Sequence, residues 1–167
     1  FLVVNSLRYV IAGNCTNMIF PDEGYDGVVV RLGPKFSRID VFGEQISAQA
    51  GAPLSAVASR ALSECLTGFE FASGIPGTVG GAVTMNAGAY GGEMSQVVIR
   101  TTCLREDGEL IVLEGEDHDF SYRHSRIMDG GLVALDVTLS LSRGNREEIL
   151  SRMDDFNTRR REKQPLD

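Results

Sequence analysis

Residues 73–93 read Ser73-Gly74-Ile75-Pro76-Gly77-Thr78-Val79-Gly80-Gly81-Ala82-Val83-Thr84-Met85-Asn86-Ala87-Gly88-Ala89-Tyr90-Gly91-Gly92-Glu93. Seven of these positions are glycine, and from 69 to 95 neither the period of a helix nor that of a strand persists. The stretch is not a Rossmann fingerprint, because no G-x-G-x-x-G occurs and Pro76 interrupts the loop. Nor is it a Walker loop, because no G-K-[ST] follows. What remains is some twenty residues of backbone with few bulky side chains, suited to lie against a flat, extended ligand. Loops of that length are uncommon unless functional or disordered. Phe71, Ile75, Val79, Met85 and Tyr90 argue against disorder.

The chain on either side alternates between hairpins and two helices. Upstream, Leu54, Val57, Ala58, Ala61, Leu62 and Cys65 recur at three- and four-residue steps, predicting a helix over 52–66. Pro53 suits its first turn and Gly68 its left-handed stop. Residues 37–41 and 45–50 alternate with period two around Gly43-Glu44, a hairpin. Short strands are expected at 7–12 and 27–32. Downstream, strands are expected at 96–105 and 109–113, joined at Asp107-Gly108, and again at 131–141. A last helix covers 146–162, with Asn145 as its cap, Glu148 completing a capping box, and Ile149, Met153 and Phe156 on one face. The fold class is therefore α+β. Helices are too few, and strands too often hairpin-paired, for a doubly wound parallel sheet.

Composition narrows the function. The 167 residues carry 16 Lys+Arg against 23 Asp+Glu, a net charge of −7. That balance excludes a general nucleic-acid binder, which needs a basic face. It leaves room for an anionic small molecule held by backbone N–H groups and one or two arginines. No apolar run reaches the length of a membrane span or a signal peptide. Cys15, Cys65 and Cys103 show no pairing spacing, the pattern of reduced thiols in a cytoplasmic protein. His118 and His124 are the only histidines, too few and too isolated for a metal site. No obligatory protein partner is evident.

Two further stretches carry chemistry. Gly13-Asn14-Cys15-Thr16-Asn17 follows a strand, and its small residues allow N–H groups to converge on an anion. Read alone, it is more simply a plain strand-to-loop turn. Ser121-Tyr122-Arg123-His124-Ser125 sets one arginine beside a tyrosine and two serines, an arrangement able to grip a carboxylate, although most such arginines are merely solvated. Nothing supports Ser/His/Asp catalysis, since no G-x-S-x-G elbow is present.

Taken together, these residues resemble the FAD-binding part of the UDP-N-acetylenolpyruvoylglucosamine reductase family, of the p-cresol methylhydroxylase / vanillyl-alcohol oxidase flavoprotein fold. Residues 73–93 match its central loop almost throughout. Gly13–Asn17 resembles its G-x-G-[ST]-N pyrophosphate loop, with Cys15 in place of the second glycine, and Tyr122-Arg123-His124-Ser125 resembles its Y-R-x-S element. Arg161-Glu162-Lys163-Gln164-Pro165 resembles the segment before the family's next domain.

The resemblance implies a first FAD-binding lobe at 1–32, shorter at its start than in the family. A second lobe follows at 33–145, and a helix at 146–167 leads toward a substrate-binding domain. It implies non-covalent FAD held by Gly13, Asn14, Cys15, Thr16 and Asn17 and by Gly74, Ile75, Pro76, Gly77, Thr78, Gly80, Gly81, Asn86, Ala87 and Gly88. Arg123 would be the catalytic cation, with Tyr122 and Ser125 as substrate contacts and NADPH as hydride donor to a UDP-sugar, a step of peptidoglycan precursor synthesis. A proton-donating serine and a glutamate would come from the following domain. These residues alone are therefore expected to bind FAD without turnover. Two alternatives stand beside this one: another flavin-dependent oxidase or dehydrogenase of the same fold, and a non-enzymatic nucleotide-binding module.

Overall fold

The computed structural model describes residues 1–163, so the Gln164-Pro165 part of the final motif lies outside the described residues. Strands β1 (Tyr9–Ala12) and β2 (Val28–Arg31) pair in parallel as a small separate sheet. Strands β3 (Ile39–Phe42) and β4 (Gln45–Gln49) form the expected hairpin, with Gly43 at φ 65° in its turn. Helix α1 (Leu54–Ser63) buries Leu54, Val57, Ala58 and Ala61, the residues of its apolar period. Pro53 is its N-cap and lies outside the first turn.

The end of α1 differs from expectation. The helix stops at Glu64, and Cys65 takes the left-handed conformation (φ 56°) before the short strand β5 (Leu66–Thr67). Gly68 is left-handed too (φ 114°), but it turns the chain after β5. A non-glycine left-handed residue is uncommon. It persists here because Leu66 is buried immediately after and Gly144 N–H donates to the Cys65 carbonyl (2.9 Å).

The glycine-rich stretch is not one long loop. It contains helix α2 (Val79–Thr84) and a small hairpin of β6 (Gly88–Ala89) and β7 (Gly92–Glu93). Two glycines make α2 a poor helix by propensity. Tertiary contact compensates: the first-turn N–H groups of Val79 and Gly80 donate to the Ala52 and Ala50 carbonyls (2.9 and 2.8 Å). A Cβ on Gly80 would stand 2.7 Å from the Ala50 Cβ, so only glycine lets the helix settle there.

Strands β8 (Val98–Arg105), β9 (Leu110–Glu114) and β10 (Leu132–Ser140) complete an antiparallel five-stranded sheet ordered β3-β4-β10-β8-β9. Helices α1 and α2 pack on it, enclosing Ile46, Leu54, Val57, Val79, Val83, Val137 and Leu139, all inaccessible to solvent. Strand β11 (Ser142–Arg143) pairs with β5 and leads into α3 (Arg146–Lys163). The Asn145 side chain caps α3, accepting from the Glu147 and Glu148 N–H groups (2.8 and 3.2 Å).

Helix α3 is fastened by a buried carboxylate. Glu70 accepts from the Thr67 hydroxyl (2.7 Å) and the Gly68 N–H (2.7 Å), and Arg152 of α3 lies 2.9 Å away. Burial alone would raise this carboxyl. Hydrogen bonds from Thr67 and from the Glu70 and Gly68 N–H groups, together with Arg152, outweigh burial and hold it below the ordinary carboxylate value. A lowered folded-state pKa adds stability above the unfolded value and withdraws it as pH falls through the folded one. Glu70→Gln should therefore cost about 1–2 kcal/mol at neutral pH and flatten the acid limb of stability. Urea unfolding at pH 7 and pH 4 checks both expectations.

Candidate functional site

The two glycine-bearing loops meet. A Cβ on Gly13 would collide with the Thr78 side chain, and one on Gly77 would lie 3.8 Å from the Thr16 hydroxyl. Both loops line one cleft of about 1180 Å³, whose lining also includes β1, Ile127, Met128 and residues 130–134.

Backbone donors are concentrated there. Among the described residues, no N–H of 13–17 donates to another protein group, and those of Thr78 and Gly81 are free as well. Unpaired backbone N–H groups are rare unless solvent or a ligand takes them. Successive ones in a concave turn form an anion site. The cleft's charged residues point the same way: Arg8, Arg123, Arg160 and Lys163 against one carboxylate, Glu106. In a chain of net charge −7, that local reversal favours an anionic ligand. On β1, burial and the neighbouring Glu106 raise the Tyr9 phenol above its usual value, so this lining residue is a neutral donor.

Within the 13–17 loop, Cys15 sits where the backbone favours a glycine. Cys15 is exposed and left-handed (φ 57°). That conformation costs an L-residue about 1–2 kcal/mol, partly offset because glycine loses about 0.4–1 kcal/mol more chain entropy on folding. Cys15→Gly should stabilise the chain by about 0.5–1 kcal/mol, read as a rise of about 1–4 °C in Tm. An unchanged or lowered Tm would show that the loop carries no strain at this residue.

Arg123 is mounted on a tight hairpin. Ser121 and His124 exchange backbone hydrogen bonds (3.1 and 3.2 Å), which leaves Arg123 left-handed (φ 58°) at the tip. Its guanidinium donates to Asn17 Oδ1 across 3.2 Å, joining elements 106 residues apart. Arg123 also lines a second, smaller cavity of about 500 Å³ beside β6 and β7, together with Tyr122, which is 91% exposed. Left-handed non-glycine residues gather around these two cavities: Cys15, Asn86, Tyr90 and Arg123. Such backbone strain tends to collect at functional sites.

Not every expected site residue faces the cleft. Ser125 is fully buried and donates to the Thr84 carbonyl (2.6 Å), so it pins the arginine hairpin to α2 and is not positioned to touch substrate. Asn86 is 3% exposed; its amide donates to Ser121 O (3.1 Å) and accepts from Ser95 N–H (2.9 Å), making it a strut under the same hairpin. Gly74 lies off the cleft against α3, where a Cβ would stand 2.6 Å from Asn157 Oδ1. Ile75, Pro76, Gly77, Thr78, Gly80, Gly81, Ala87 and Gly88 do line it, as do all five residues of 13–17.

The contribution of β1 and of Gly130-Gly131-Leu132-Val133-Ala134 was missed in the sequence. Paired Gly130 (φ 97°) and Gly131 (φ 74°) were the available signal. His118 is a core residue whose two ring nitrogens pair with Thr101 Oγ1 (2.9 Å) and Gly115 O (3.0 Å). Since the carbonyl can only accept, Nδ1 carries the proton in that contact.

A cleft of this size, walled by backbone donors and apolar side chains, defines a nucleotide-cofactor-binding domain, and its donor set fits a dinucleotide diphosphate with a flat ring beyond. A profile of the FAD binding domain family matches residues 2–114, and the chain belongs to that family. More narrowly, it is 46% identical over 162 residues to UDP-N-acetylenolpyruvoylglucosamine reductase of Clostridium kluyveri, covering 97% of this chain and 53% of that protein. The crystal structure of UDP-N-acetylenolpyruvylglucosamine reductase from Thermus caldophilus superposes with a TM-score of 0.84 at 35% identity, covering 95% of this chain and 57% of that one. Glucooligosaccharide oxidase from Acremonium strictum shares the fold at a TM-score of 0.65 and 16% identity, over 84% of this chain and 31% of that one. The fold is thus the α+β FAD-binding domain of p-cresol methylhydroxylase / vanillyl-alcohol oxidase type. The chain spans about half the length of the curated relatives it matches. No helix among the described residues is long and apolar enough to cross a membrane.

Proposed function

We propose that this chain is the FAD-binding part of an enzyme that reduces the enolpyruvyl ether of UDP-N-acetylglucosamine with NADPH, in the cytoplasm, where its three thiols stay reduced. The observation that carries this reading is the place of Arg123: a guanidinium free of any carboxylate among the described residues, at the shared edge of both cavities. Backbone N–H groups of 13–17, with Thr78 and Gly81, would hold the diphosphate. FAD, when bound non-covalently, supplies hydride transfer between a nicotinamide and a carbon acceptor. A vinyl ether accepts hydride poorly unless its carboxylate draws off electron density as an enolate. A fixed cation at that carboxylate stabilises the charge as it develops, an effect typically worth about 10²–10³ in rate. Arg123 is that cation, its planar fork matching two carboxylate oxygens, with Tyr122 flanking the sugar side. In this reading the lobes are 1–32 and 33–145, and 146–167 would lead toward a substrate-binding domain.

Incubation with FAD, desalting and an absorbance spectrum test the proposal. A retained flavin band that shifts on adding UDP-N-acetylglucosamine enolpyruvate supports it. A colourless chain would make this an empty nucleotide module. A band that ignores the UDP-sugar would favour another oxidase of the fold.

A further inference from the structure

The guanidinium of Arg123 has one side-chain partner among the described residues, Asn17 Oδ1, and the choice of partner is informative. Asparagine offers a neutral acceptor: it fixes the direction of the fork without cancelling its charge. An aspartate of the same shape would form an ion pair and leave the arginine spent. Asn17 is also the last residue of the loop whose N–H groups are free, so whatever orders that loop orders Asn17. The root of the hairpin is held elsewhere, by Asn86 at Ser121, by Ser125 at Thr84 and by the His124–Asp129 contact (2.8 Å). None of those three touches the guanidinium.

We propose that Asn17 is the positioning residue of Arg123 and couples occupancy of the diphosphate loop to the affinity of the arginine for a carboxylate. This rests on the reading of Arg123 as carboxylate receptor given above. FAD orders residues 13–17, the Asn17 amide then holds the fork toward the second cavity, and the carboxylate binds without first having to immobilise a long side chain. By linkage the carboxylate must tighten FAD by the same factor. Both partners are exposed to solvent, which holds the worth of this hydrogen bond to that of a typical net intramolecular one, so the factor expected is about 3- to 10-fold.

The test measures FAD affinity of the full chain by flavin fluorescence, with and without saturating UDP-N-acetylglucosamine enolpyruvate. In the native chain the UDP-sugar should tighten FAD about 3- to 10-fold. In Asn17→Ala that factor should fall to about one. Asn17→Asp, nearly isosteric, should bind the UDP-sugar more weakly than Asn17→Ala at saturating FAD, because the new carboxylate competes for the fork; a merely structural role for the side chain would rank Asp above Ala. Equal coupling in native and Asn17→Ala chains, no coupling in the native chain, or tighter binding by Asp than Ala would each overturn the proposal. Arg123→Ala separates this inference from the reading beneath it. If it binds the UDP-sugar as the native chain does, the carboxylate-receptor role itself is wrong; if it binds weakly while Asn17→Ala does not, only the positioning role fails.

Discussion

Gly13→Ala should weaken FAD binding about 10- to 100-fold while leaving the fold in place. The added methyl would meet the Thr78 hydroxyl, and the Thr78 Cγ2 and Cβ at 3.1 and 3.2 Å. Rotating the threonine does not clear its own Cβ, so the two loops must part by several tenths of an ångström. Their free N–H groups at 13–17 and at Thr78 and Gly81 would then no longer converge on the diphosphate they are proposed to hold, and displacements approaching 1 Å are worth about 10²-fold. Adding Thr78→Ala removes two of the three colliding atoms and should restore most of the affinity. Equilibrium dialysis against FAD measures both variants, with thermal unfolding as the control. If Gly13→Ala binds FAD like the native chain, the apposition of the loops is not what builds the site.

Arg123→Ala should lower affinity for UDP-N-acetylglucosamine enolpyruvate by 30-fold or more at saturating FAD, because truncating one side of a close charge pair costs about 2–5 kcal/mol. Arg123→Lys should recover only part, since an ammonium keeps the charge but loses the two-point fork. The exposed, solvent-facing tip of the hairpin makes either substitution easy on the fold; Ser125 and Asn86 hold its root. Titration of the flavin band with the UDP-sugar reads the effect. A parallel titration with UDP-N-acetylglucosamine, which lacks the carboxylate, should show little difference between the chains.

Buried cysteine chemistry plays no part in these expectations. Cys103 is inaccessible, and burial pushes its thiol up to about 11, so it stays protonated and inert at neutral pH.

Much of this was legible in order along the chain. The period of Leu54, Val57, Ala58 and Ala61 located α1, the Gly43 and Gly108 turns located two hairpins, and Asn145 marked the start of α3. These are local signals: a helix stripe, a turn residue and a cap are each decided within a few residues. The glycine-rich stretch resisted for the same reason. Its helix α2 exists because backbone carbonyls of Ala50 and Ala52, some thirty residues earlier, receive its first N–H groups. Cys65, not Gly68, ends α1 because a buried strand follows at once.

The amino-acid order by itself determined the α+β class and the glycine-rich stretch, since composition and short-range spacing carry both; the loop at 13–17 and Arg123 stood out only through the likeness of their motifs to a known family. Only the tertiary structure separated the residues of those motifs by role. Gly13 faces Thr78, Gly74 faces α3, Ser125 and Asn86 turn inward, and Asn17 reaches Arg123. Which side of a loop meets ligand and which meets protein depends on what the fold packs behind it, and for these loops those neighbours lie far away along the chain.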